Sequence, residues 1–228
     1  MTEMFTRADR KLTGTCALLA CALSLIMIPL YFVYAGPPPA DNVLVRNLIT
    51  VVTFAVFLVF VSGVRRMLGA RAGLAGDIVA VAGVVYAAMT LVAASLEAGV
   101  ALQYPDGSQD PTVDGPLANG MVLLHGPIAR VLIATFLVAL AVGAGRTGTL
   151  PQWARIGSVL LAVVNVGFVP SLFYGTEPAN FYAANGWGST ASIGALFMLW
   201  TGALGLAILR TRSAADRRDL PTAAARTS

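Results

Sequence analysis

Charged residues are scarce in this chain. Of its 228 residues, 11% are charged and 57% are hydrophobic, whereas a soluble domain usually carries about 25% charged residues. No stretch is both long enough and polar enough to form a separate soluble domain. The composition therefore excludes an ordinary water-soluble protein.

Lysine, histidine and cysteine are also rare, and their scarcity limits which cofactors, metals and disulfides the chain could hold. A rhodopsin-like pigment needs a lysine within a span, and the only lysine, Lys11, precedes the first apolar run. The single histidine, His125, and the lack of a Cys-x-x-Cys motif argue against a transition-metal site. Cys16 and Cys21 are five residues apart on a helix, about 8–9 Å between Cα atoms, which is too far for a disulfide.

Motifs of common enzyme classes are missing as well. The sequence contains no Walker loop, no G-x-S-x-G, no H-E-x-x-H and no S-x-x-K. We therefore predict no metal and no cofactor. The missing motifs also weigh against an enzymatic function.

Long apolar runs dominate what is present. A membrane-spanning helix needs about 20 apolar residues, and the chain has six suitable runs. They predict an all-α membrane protein, a bundle of six transmembrane helices over residues 14–209. The spans are expected at about 14–35, 47–64, 78–98, 117–145, 156–174 and 189–209. An N-terminal arm (1–13) and a basic tail predicted to be disordered (210–228) complete the chain.

The positive charges are distributed unevenly between the two sides of this threading. Thirteen of the 15 lysines and arginines fall on one side, and only Arg46 and Arg130 do not. The positive-inside rule then places both termini in the cytoplasm. The net charge of +4 is accordingly a signal of topology, and we predict no nucleic-acid partner.

The first span has one alternative interpretation. A basic start and the small-residue sequence Val33-Tyr34-Ala35 are compatible with a cleaved signal peptide. Its apolar stretch of about 22 residues exceeds the usual 7–15 of such peptides, which favours a retained helix. Cleavage would leave five spans.

The loops on the outer side are acidic, aromatic and rich in turn residues. Tyr104, Tyr174 and Trp187 lie there and predict an aromatic cap over an outward-facing hollow, although an aromatic belt is expected at any membrane interface. Three aspartates, Asp106, Asp110 and Asp114, repeat every four residues. Interspersed prolines deny them a common helical face, so we expect a solvated loop rather than a calcium site.

Ionisable residues at membrane depth are functional candidates by default. In "LLHGPIAR" (123–130), Arg130 lies about 22 Å from the cytoplasmic end of its span, and His125 is nearer the outer edge. Glu97, at the end of the third span, reaches a similar depth. Because Cα–Cβ bonds tilt toward the helix N-terminus, Arg130 leans outward and Glu97 leans inward. We predict a Glu97–Arg130 pair with His125 above it, beside a bend at Pro127.

Two alternatives to this pair remain open. Arg130 can extend to the outer headgroups while Glu97 lies at the surface, or these residues can form a ligand-binding or catalytic site. Asn165, in the fifth span, is a further candidate, more typical of an interhelical hydrogen bond than of a ligand contact.

Two resemblances accompany these patterns. The sequences "LEAG" (96–99) and "LPQWARIG" (150–157), with the long acidic loop, resemble a group of uncharacterised actinobacterial six-span membrane proteins. That resemblance implies a fold and a bacterial cytoplasmic membrane, and no activity. The chain also resembles small integral-membrane terpene cyclases, which implies Glu97 as general acid. It departs from their pattern because a second acidic partner would have to come from a loop: Asp106, Asp110, Asp114 or Glu177.

Three functional hypotheses follow. The first is a protein that binds, senses or helps move a small or lipid-like ligand at an outward-facing polar and aromatic pocket. The second is an enzyme acting on an isoprenoid or lipid. The third is an accessory subunit whose small-residue faces contact a partner membrane subunit or a second copy of the chain.

Overall fold

The computed structural model describes residues 5–34 and 36–211, and over these residues it is helical and without β-strands. Seven α-helices follow one another: α1 (Arg7–Leu30), α2 (Ala40–Leu68), α3 (Leu74–Gln103), α4 (Gly115–Leu123), α5 (Ala129–Thr147), α6 (Gln152–Gly167) and α7 (Ile193–Arg210). A π-helical turn, Leu124–Ile128, joins α4 to α5, and a second one, Gly188–Ser192, leads into α7.

Six helical segments are long and apolar enough to cross a membrane. They are Arg7–Leu30, Ala40–Leu68, Leu74–Gln103, Gly115–Thr147, Gln152–Phe173 and Gly188–Arg210. The predicted all-α architecture with six membrane-length helices is thus confirmed over the described residues.

The helix bounds differ from the predicted spans at several ends. α1 begins at Arg7, inside the predicted arm, because Thr6 and Asp9 form a capping box that satisfies the first backbone N–H groups. α2 begins at Ala40, so residues 40–46, assigned to a loop from the sequence, are helical. Of the predicted tail, Arg210 ends α7 and residues 212–228 lie outside the described residues. Ala35, at the considered cleavage site, also lies outside them.

The helices pack in an order that follows the chain closely. α1 packs against α2 and α7, α3 packs between α2 and α5, and α6 packs against α5. Small residues permit the closest crossings: a Cβ added to Gly205 would lie 2.8 Å from the carbonyl oxygen of Gly14. Gly14 and Gly205 therefore let α1 and α7 approach closely within the bundle.

An aromatic cluster fills the centre of the bundle. The ring of Phe57 contacts those of Phe54, Phe60, Phe136, Phe197 and Tyr86 at centroid distances of 5.7 to 6.4 Å. Most of these pairs are edge-to-face, the arrangement that ring quadrupoles favour. The cluster forms a dense base beneath the cavity described below.

The two ends of the bundle differ in charge, because one end carries Arg65, Arg66, Arg71 and Arg146 and the other carries Asp106, Asp110, Asp114 and Glu177. At one end, here called the basic end, Arg65 pairs with Asp77 at 2.7 Å and Arg66 with Asp9 at 3.4 Å. At the opposite end, here called the acidic end, three loop segments meet: residues 31–34 with 36–39, residues 104–114 and residues 174–187. Asn185 Nδ2 donates to the Thr112 carbonyl oxygen at 2.8 Å, which joins two of these loops.

Candidate ligand-binding site

Glu97 lies in a buried ion pair with Arg46. Arg46 Nη2 is 2.7 Å from Glu97 Oε1, and both side chains are 2% exposed. The other carboxylate oxygen accepts a hydrogen bond from Asn47 Nδ2 at 3.3 Å and lies 3.5 Å from the hydroxyl of Tyr31. The guanidinium carbon of Arg46 also stands 4.0 Å above the centre of the Tyr31 ring, a cation–π geometry. α1, α2 and α3 therefore meet at one charge-neutral cluster.

The start of α2 explains how Arg46 reaches this position. Because the helix begins at Ala40, Arg46 and Asn47 occupy its second turn and face inward instead of lying in a loop. The same helix satisfies its own polar groups: Asn47 donates to the Val43 carbonyl at 2.9 Å and Thr50 to that of Arg46 at 2.9 Å. The α2 segment thereby presents a polar stripe to α1 and α3.

The predicted Glu97–Arg130 pair is wrong. Arg130 Nη2 donates to the His125 carbonyl at 3.0 Å, and Nε donates to the Gly126 carbonyl at 3.4 Å. The alternative that placed these groups at the surface is wrong as well, because Arg130 and Glu97 are each 2% exposed. Glu97 and Arg130 each contact a partner other than the one predicted.

The Gly-Pro break explains the partners of Arg130. Gly126 has φ −89° and ψ −112°, outside the helical region, within the π-helical turn between α4 and α5. Pro127 also removes a backbone N–H donor. Arg130 turns back along the break and donates to the carbonyl oxygens of His125 and Gly126. The Gly126 carbonyl also accepts the backbone N–H of Ala129. The bend expected at Pro127 is therefore present, and it positions the arginine.

The break also lies against the acidic-end loop. A Cβ added to Gly126 would stand 2.7 Å from the carbonyl oxygen of Ala184. Any larger residue at position 126 would push the loop and the helix apart. Only glycine fits here without such a shift, because it has no Cβ.

Arg130 and His125 line a cavity of about 150 Å³ within the bundle, here called the inner cavity. Thr50, Thr90 and Ser24 supply hydroxyl groups to its wall. The remainder is mainly apolar and comes from α1, α2, α3, α5 and α7: Met27, Ile28, Phe54, Tyr86, Ala129, Ala195 and Met198. A mostly apolar wall with a few convergent polar groups is typical of small-molecule sites.

A second cavity of about 200 Å³, here called the outer cavity, lies at the acidic end. Its lining includes Arg46, Asp110 and Trp187. The two cavities adjoin, because four residues line both of them: Tyr31, His125, Thr190 and Ala191. These four residues thus separate the outer cavity at the acidic-end loops from the inner cavity at Arg130.

The other predicted site residues are spread over the acidic end and α6. Trp187 lines the outer cavity and packs its ring on Phe181 at 4.5 Å. Tyr174 is exposed and contacts Tyr182, and Tyr104 ends α3. Asn165 is buried in α6 and donates to the Leu161 carbonyl at 2.8 Å. Tyr104, Tyr174 and Asn165 are not among the residues that line either cavity.

The aspartates of the 104–114 loop hold its turns. Asp106 accepts hydrogen bonds from the hydroxyl and backbone N–H of Ser108 at 2.8 and 3.2 Å, and these bonds hold the pKa of Asp106 below its usual value. Asp110 and Thr112 form the same arrangement. Among the described residues, no three His, Cys, Asp or Glu side chains are grouped to hold a metal ion.

Sequence reasoning missed Arg46, Tyr31 and Thr90 as parts of this site. One signal was available for the first: Arg46 is the single basic residue of its side of the predicted threading apart from Arg130. A lone cation opposite the positive-inside bias calls for a specific partner. Tyr31 and Thr90 carried no comparable signal.

Neither a protein family, nor a curated protein, nor a solved structure matches this chain.

Proposed function

We propose that this chain is a multi-pass protein of a bacterial cytoplasmic membrane that binds a small or lipid-like ligand in the inner and outer cavities. In this proposal both termini are cytoplasmic and the acidic end faces outward. Binding serves sensing or movement of the ligand. The difference in charge between the basic and acidic ends supports the orientation.

One observation carries the binding proposal. The inner cavity is built around a buried arginine, Arg130, and adjoins an outer cavity beneath the acidic-end loops. Buried charges in membrane helices are costly, and they mark ligand paths or binding sites. An apolar wall with Arg130 and His125 at one side suits an amphiphile better than a fully polar solute.

The enzyme hypothesis gains less support. Glu97, its expected general acid, is ion-paired with Arg46 at 2.7 Å and is not among the residues that line either cavity. A carboxylate held in this way does not face the cavity space. The accessory-subunit hypothesis also gains less support, since two of the small residues, Gly83 and Gly205, face neighbouring helices of the same chain.

Native mass spectrometry of the gently purified protein tests the proposal. We expect a bound small molecule or lipid in the wild type. Ala195→Phe, which fills the inner cavity, should remove it, whereas Ala88→Phe, on an exposed position of α3, should retain it. The proposal fails if wild type and Ala195→Phe carry the same bound molecules in the same amounts.

A further inference from the structure

We propose that the ligand of the inner cavity carries an anionic headgroup, a carboxylate or a phosphate, which pairs with the guanidinium of Arg130. This inference rests on the proposed function and names the chemistry of the ligand.

The charge balance of the buried interior supports an anion. Three charged side chains of the described residues are buried: Arg46, Glu97 and Arg130. The first two neutralise each other at 2.7 Å. Within the described part of the chain, no carboxylate forms an ion pair with Arg130. One positive charge is therefore left over, and an unpaired buried charge is costly.

The contacts of Arg130 leave one nitrogen of its guanidinium without a hydrogen-bond partner. Nε and Nη2 donate to the carbonyl oxygens of Gly126 and His125. Nη1 is buried and has no hydrogen-bond partner among the described residues, and Arg130 forms part of the cavity wall. Neutral carbonyls satisfy hydrogen bonds without cancelling the charge, whereas a carboxylate or phosphate does both.

The dimensions of the cavities point to an amphiphile. A cavity of about 150 Å³ accommodates a group of roughly the size of benzene, which suits a headgroup and its first carbons. Apolar side chains such as Met27 and Met198 face those carbons. Asp110 on the outer cavity repels a free anion arriving from solution. We therefore expect an anionic headgroup attached to an apolar chain rather than a free anion.

Binding of matched amphiphiles to the purified protein in uncharged maltoside micelles tests this inference. The probes are dodecanoate, dodecyl phosphate, the neutral dodecanol and the short anion acetate. We expect one of the two anionic amphiphiles to raise the melting temperature of the wild type. Dodecanol at equal concentration should raise it far less. Arg130→Gln should weaken that binding on the order of 10- to 100-fold, since a charge-assisted contact is lost.

Two variants and a control separate loss of binding from loss of folding. Arg130→Lys retains the charge and should retain most of the preference for the anion. Thr90→Glu places a carboxylate on the same cavity wall; it should raise the melting temperature without ligand and abolish the response to the anion. Arg146→Gln, at an exposed position of the same helix α5, should bind as the wild type does.

The outcomes are distinct. If acetate raises the melting temperature as strongly as dodecanoate does, an anion binds at Arg130 and the ligand is a free carboxylate. Equal binding of dodecanol and the anionic amphiphiles, binding of neither anion, or unchanged affinity in Arg130→Gln overturns the inference. A co-purifying molecule that Ala195→Phe excludes and Arg130→Gln retains leaves the proposed function standing and overturns only the anion.

Discussion

The Arg46–Glu97 pair can be tested by a double-mutant cycle. The two groups are 2.7 Å apart and 2% exposed, so removing either one leaves a buried charge without its partner. Each of Arg46→Met and Glu97→Gln should lower the free energy of unfolding by about 3–5 kcal/mol. The double variant removes both charges together and should cost far less than the two single changes combined. The interaction energy should exceed about 1.5 kcal/mol.

The expected interaction energy of the Arg46–Glu97 pair agrees with a Coulomb estimate. Two unit charges about 4 Å apart interact by roughly 4 kcal/mol at an effective dielectric constant of about 20. The remaining contacts of Glu97, to Asn47 and Tyr31, persist in the glutamine variant because its amide oxygen still accepts hydrogen bonds. The cycle therefore measures the charge pair and not the whole cluster.

Equilibrium unfolding in mixed micelles, with increasing dodecyl sulfate in a maltoside detergent and tryptophan fluorescence as the signal, gives the free energies. A second cycle, with Arg130→Met and Glu97→Gln, is the control. These residues have no common hydrogen-bond partner and should be additive within about 0.5 kcal/mol. Additivity in the first cycle, or strong coupling in the second, would refute the assignment of partners.

Two further predictions concern packing and the acidic loop. Gly83→Ala would place a Cβ 2.7 Å from both γ-carbons of Val61, so we expect a loss of about 1–3 kcal/mol in the free energy of unfolding; Gly99→Ala, in the same helix with no atom within 4 Å, should gain about 0.5–1 kcal/mol. Equal effects of the two changes in the same unfolding assay would contradict the packing of α2 on α3. Ser108→Ala removes the hydroxyl that donates to Asp106 at 2.8 Å, so the pKa of Asp106 should rise toward its usual value, as measured by carboxyl ¹³C NMR titration. The hydrogen bond favours the ionised carboxylate, so its contribution to the turn is present above the ordinary aspartate pKa and is lost as pH falls through the lowered one. An unchanged titration would show that the Ser108 hydroxyl does not act on Asp106.

Composition and the length of the apolar runs were sufficient to predict six membrane-length helices. Each span must satisfy its own backbone within a hydrocarbon layer, and this requirement leaves little freedom. The start of α2 was missed because Arg46 was treated as a boundary. A lone charge does end a span in most sequences, yet a charge cancelled by Glu97 can lie two turns inside a helix.

The partners of the buried charges were harder to predict. α3 packs against both α2 and α5, so adjacency alone offered Glu97 two candidate cations. The choice depends on which side of α3 the carboxylate faces. It also depends on the local break at Gly126, which supplies carbonyl acceptors to Arg130 within its own segment. Such local acceptors need no long-range docking, and a pattern of residue types does not reveal them.

The contact between Gly126 and the carbonyl of Ala184 has a mechanical consequence. The two carbonyls that anchor Arg130 belong to the segment on which the 174–187 loop rests. The loop and the guanidinium are thus linked by one short series of contacts, from Ala184 through Gly126 to Arg130. We therefore expect a displacement of the 174–187 loop to move the backbone carbonyls to which Arg130 donates.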